Sequence, residues 1–196
     1  LTKMHATDFR GLFSASMGIF NLAASYFLFR KQKVDTNILY LLIGITLTFI
    51  SVTAPIQLQG NYITLFWASE MVLLYWLFTK SKIKIIQYSS GLVWVLMLIS
   101  LLMDWMQLYD FYDTKMAIIA NKGFITTLFA AIATYLLFVL RHKEDEDTKA
   151  ITSGIIPNKN IFRIIAIILL FAAGAFEINY QFNYYNPGTK INMLYL

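Results

Sequence analysis

The chain has 196 residues, of which 58% are apolar and only 14% charged, with a formal net charge of +5 and no cysteine. Soluble domains carry about 25% charged residues, so this composition excludes an ordinary soluble enzyme or nucleic-acid binder, and the missing cysteines exclude a disulfide framework and thiolate metal sites. The basic excess needs no nucleic-acid partner, because lysine and arginine beside helix ends are normal in a membrane protein.

The apolar residues gather into blocks of the length that a helix needs to cross a bilayer, about 17 to 25 residues. Barrel strands would show segments of about ten residues with alternating polarity, and these blocks are too long and too uniform. The expected fold is therefore all-α, a polytopic transmembrane helix bundle of about six spanning helices forming one region over residues 1–196.

The first span is expected at about 9–29. Gly11, Ser14, Ala15, Gly18 and Ser25 fall on one helix face there, with Asn21 beside them. Such a face lets another backbone approach closely. A basic flank of Arg30, Lys31 and Lys33 follows at once, which argues against a cleaved signal peptide. The second span is expected at about 37–54, closed by Pro55, which cannot extend the backbone ladder. The stretch "PIQLQGN" then reads as a tight outward hairpin, with a shallow dip into the membrane as the alternative.

The third span, about 62–78, carries Glu70 near its midpoint and Trp67 one turn earlier. A charged group at the bilayer centre costs about 2.5 kcal/mol or more, so it must face protein or water and find a partner. The candidates are a backbone carbonyl, Asn21, Thr46 and Thr48. A proton relay or substrate contact and a helix-packing hydrogen bond are both consistent with such a residue. The fourth span is expected at about 85–107 and the fifth at about 116–140, where Ala120, Gly123, Thr127, Ala130, Ala131 and Thr134 make a second small-residue stripe. A polar connection follows, passing from basic to acidic across Lys143 and Glu144. The sixth span, about 160–181, places Ala166, Ala173 and Glu177 on one face.

Lys80, Lys82 and Lys84 fall in one connection, and Arg141, Lys143, Lys149, Lys159 and Arg163 in or beside another, whereas the connections between carry little positive charge. By the positive-inside rule both ends of the chain face outward from the bacterial inner membrane. The terminal "INMLYL" resembles the opening turn of another apolar segment, so a piece of a longer polytopic protein is expected.

"APIQLQGNYITLFWASEMVLLYWLF", "NKGFI" and "FEINYQF" together resemble the bacterial membrane proteins grouped as domain of unknown function 2339. The resemblance runs along most of the chain and rests on a Trp, two residues, Glu pattern matched by Trp67 and Glu70; Gly123 stands where the family pattern tends to show a larger residue. It implies a many-span architecture and no particular activity.

No catalytic residue, metal ligand or cofactor is nominated: His5 and His142 are far apart, and neither a glycine-rich phosphate loop nor a Ser, His, Asp set is present. The candidate substrate-path or proton-path residues are Glu70, Trp67, Asn21 and Glu177. Three functions follow: a transporter-like or channel-like envelope protein, a scaffold subunit whose seams bind partner helices, or a membrane-embedded enzyme using Asp104, Asp110, Asp113 or Glu177 as acid or base. The ordinary role for those four acids is as solvated loop charges. The expected partners are the lipid bilayer and further transmembrane helices of the same chain or a second subunit, with no nucleic acid.

Overall fold

The computed structural model describes residues 36–109, 117–119, 121–144 and 158–185. They form five helices: α1 (Thr36–Gln57), α2 (Asn61–Ser81), α3 (Lys84–Tyr109), α4 (Lys122–His142) and α5 (Lys159–Tyr185). The span expected at 9–29 lies outside these residues. Four helices are long and apolar enough to cross a membrane: α2, α3 over Lys84–Leu108, α4 and α5. At about 1.5 Å per residue each spans roughly 30 Å or more. The expectation of about six spans thus becomes four among the described residues.

Short connections make consecutive helices antiparallel. Three residues, Leu58 to Gly60, join α1 to α2, with Gly60 at φ +51°, a conformation glycine adopts without strain. Two residues join α2 to α3. There Lys82 takes the left-handed conformation and gives its N–H to the Phe78 carbonyl at 2.8 Å, while the Ser81 hydroxyl accepts from Ile83 N–H at 3.3 Å.

Two expected boundaries differ. Helix α1 does not stop at Ala54 but continues through Pro55 to Gln57. In the last turn a proline removes only one bond, here the N–H that the Ser51 carbonyl would have accepted. Helix α4 begins at Lys122 instead of Met116, because the Asn121 side chain caps it, accepting from Phe124 N–H at 2.8 Å. Just before it Ile119 stands at φ +64°, outside any helix.

The core lies where α2, α3 and α4 meet α5. Met71, Phe78, Met97 and Ala130 are completely buried, and Trp94 meets Phe162 edge to face at 5.0 Å. The described small residues of α4 and α5 form packing seams, while the stripe expected at 9–29 and Ala120 lie outside the described residues. On α4, Gly123, Thr127, Ala130, Ala131 and Thr134 are all buried, and on α5 so are Phe162, Ala166, Leu169, Ala173, Glu177 and Tyr180. The opposite faces carry exposed Ile132, Ile167, Leu170 and Phe171, as expected of helices that meet lipid.

Candidate functional site

A cavity of about 450 Å³ opens between α1, α2 and α3. Ser51 and Pro55 line it from α1, Trp67 and Glu70 from α2, and Tyr88 and Ser89 from α3. Most of the remaining wall is aliphatic. Glu70 is 5% exposed, and neither carboxyl oxygen has a hydrogen-bond partner among the described residues. The Ser51 hydroxyl across the cavity is the polar group within reach of this carboxyl, as a weak hydrogen-bonding neighbour short of normal geometry.

The other polar groups of the wall are arranged around the same space. The indole Nε1 of Trp67 is likewise buried without an acceptor. Ser89 turns its hydroxyl back to the Ile85 carbonyl at 3.0 Å. Helix α1 ends over this cavity with the Ser51 carbonyl that Pro55 cannot serve. Two of the sequence-nominated residues, Glu70 and Trp67, therefore come together. Of the partners considered for Glu70, Thr46 is committed to its own helix through the Leu42 carbonyl at 2.9 Å. Asn21 and the side chain of Thr48 lie outside the described residues.

Glu177 sits elsewhere. At the junction of α4 and α5 its carboxylate accepts from the Ile119 backbone N–H at 3.0 Å, from Gln181 at 3.0 Å and from the Asn121 amide. Asn121 thus caps α4 with its oxygen and holds Glu177 with its nitrogen. Sequence reasoning nominated Glu177 but not Asn121, although an asparagine just before an apolar run is an N-cap signal. Gln181, one turn after Glu177, is a second visible hint.

Asp104 requires a correction. It is not a solvated loop charge but is 7% exposed within α3, where it accepts from the Thr64 hydroxyl at 2.6 Å; Thr64 in turn lies 2.7 Å from the Ser100 hydroxyl. Glu177, 6% exposed, is not a loop charge either. Between these two sets stands Trp105, which donates to the Thr127 hydroxyl at 2.9 Å and packs on Phe176 at 4.7 Å. Each acid is held by its own hydrogen bonds, an arrangement that fixes the helices. Asp110 and Asp113 lie outside the described residues.

At the other end of the bundle the Tyr75 hydroxyl donates to Glu144, which turns inward just after α4. Nearby, Ser90 on α3 donates to the Met71 carbonyl of α2 at 2.7 Å. Among the described residues no three His, Asp or Glu side chains gather in a way that would hold a metal ion.

A family model described as "Predicted membrane protein (DUF2339)" matches residues 5–195. No curated protein and no solved structure matches the chain.

Proposed function

From the premise that the chain belongs to the DUF2339 family of predicted membrane proteins, we propose that it is a transporter-like or channel-like protein of the bacterial inner membrane, with the Glu70 cavity as its solute or proton site. The end that carries Lys80, Lys82, Lys84, Arg141, Lys143, Lys159 and Arg163 faces the cytoplasm in this reading. One observation carries it: a buried carboxyl on a membrane-length helix lines a cavity, and neither of its oxygens makes a hydrogen bond of normal geometry among the described residues.

An acid retained for helix packing should be paired, as Glu177 and Asp104 are. An unpaired one opposes folding, and in membranes such residues mark substrate and ion paths. Glu70 is suited to accept a donor or cation from a mostly apolar solute, or to carry a proton, with Trp67 covering the same space. Of the four nominated residues, Glu70 and Trp67 bear the proposal. Glu177 serves the bundle's framework in this reading, and Asn21 is a further candidate on the path.

The test separates function from packing. In a strain whose growth depends on the full-length protein, Glu70→Gln is expected to abolish complementation. The purified variant should keep its thermal stability to within about 0.6 kcal/mol, the usual worth of a hydrogen bond between membrane helices. Full complementation by the variant, or a clear fall in its melting temperature, would overturn the proposal.

A further inference from the structure

Four side chains at the junction of α4 and α5 form a continuous stack. The Phe138 and His142 rings, one turn apart on α4, lie 5.8 Å apart and nearly parallel, at 27°. The Arg163 guanidinium of α5 sits over Phe138 with its central carbon 5.8 Å from the ring centroid. Lys159, one turn earlier on α5, brings its ammonium 3.5 Å from His142 Nδ1. Two like charges spaced i, i+4 disfavour each other. Neither Lys159 nor Arg163 has an ion-pair partner among the described residues, and the adjacent acid Glu144 is engaged by Tyr75.

The same line of α5 continues into apolar surface. Counting by fours from Lys159 and Arg163 reaches Ile167, 60% exposed, and Phe171, 77% exposed. A row with two cations at the membrane edge and bare apolar side chains below them is complementary to an amphiphile with an anionic head and a hydrocarbon tail. We propose that Lys159 and Arg163 bind the phosphate of an anionic phospholipid, whose acyl chain runs along Ile167 and Phe171. Phe138 fixes the guanidinium by cation–π contact, and Arg163 offers a forked donor set to phosphate oxygens. The apolar row beneath the cations selects a lipid over free phosphate.

The test uses the full-length protein, delipidated in mild detergent and titrated with phosphatidylglycerol or phosphatidylcholine under native mass spectrometry. Wild type should retain phosphatidylglycerol preferentially, and millimolar inorganic phosphate should not displace it. A Lys159→Gln/Arg163→Gln double variant, altered only at the rim and checked for an unchanged melting temperature, should lose retention by about tenfold or more, since it removes direct charge-assisted hydrogen bonds to the phosphate. A Lys80→Gln/Lys84→Gln control, which lowers the charge of the same end by as much, should lose far less. Equal retention by the double variant, equal loss in the control, or displacement by inorganic phosphate would each refute the site.

Discussion

Glu70 and Glu177 are buried to nearly the same degree, 5% and 6% exposed, yet one carboxyl group is held by several donors and the other makes no hydrogen bond of normal geometry among the described residues. For Glu177 the consequence is structural. Glu177→Ala removes the acceptor of the Ile119 N–H and leaves the Asn121 amide only the Ala117 carbonyl at 3.3 Å, so it is expected to destabilise the fold by about 1 to 3 kcal/mol, the cost of one buried polar group losing its partner. Amide exchange at Ile119 should accelerate by the same change, and an unaltered exchange rate would show that the carboxylate does not hold that segment. Glu70 is visible in the sequence as an intramembrane charge needing company, whereas Glu177, placed on a helix face, reads by default as a solvated charge. The partners of Glu177 are not visible there, because Asn121 and Ile119 are more than fifty residues from Glu177 and only the packing of α4 on α5 brings them together.

At the scale of the element, the seams were legible. The i, i+3, i+4 spacing of small residues named Gly123, Thr127, Ala130, Ala131 and Thr134 on α4 and Ala166 and Ala173 on α5, and all of them are buried. Periodicity reports which face packs, since close backbone approach needs small side chains on one side. It reports helix ends poorly. Helix α4 starts five or six residues later than its apolar run because a capping side chain and a distant carboxylate claim the preceding backbone. Helix α1 outlasts its proline because the penalty in a final turn is a single bond. The cavity was also beyond pattern reading, since Ser51, Glu70 and Tyr88 meet only when three helices are assembled. The seam gives a direct prediction: Ala130 is completely buried, so Ala130→Leu should overpack it and lower stability by about 1 to 3 kcal/mol, measured as a lower melting temperature in detergent, whereas Ile132→Leu on the exposed face should leave it unchanged.

At the scale of the molecule, alternating helices collect Lys80, Lys84, Arg141, Lys159 and Arg163 at one end, and the Asp104 and Glu177 sets, with Lys122 at the start of α4, at the other. The chain has no cysteine, so single cysteines introduced at Gln59 and Lys82 report topology directly. An impermeant maleimide added to intact spheroplasts is expected to label Gln59→Cys and not Lys82→Cys; labelling of both from one side would break the antiparallel arrangement. Helix α2, meanwhile, is held at both ends, by Thr64 to Asp104 and by Tyr75 to Glu144, and in the middle by Ser90. Helix α1 packs mainly on α2 and ends at a proline that leaves the Ser51 carbonyl without its usual donor. Two sides of the chamber around Glu70 are thus clamped, and the third ends in a turn weakened by one bond. If the proposed role holds, widening or narrowing of the chamber is expected at α1, pivoting on the three residues that join it to α2.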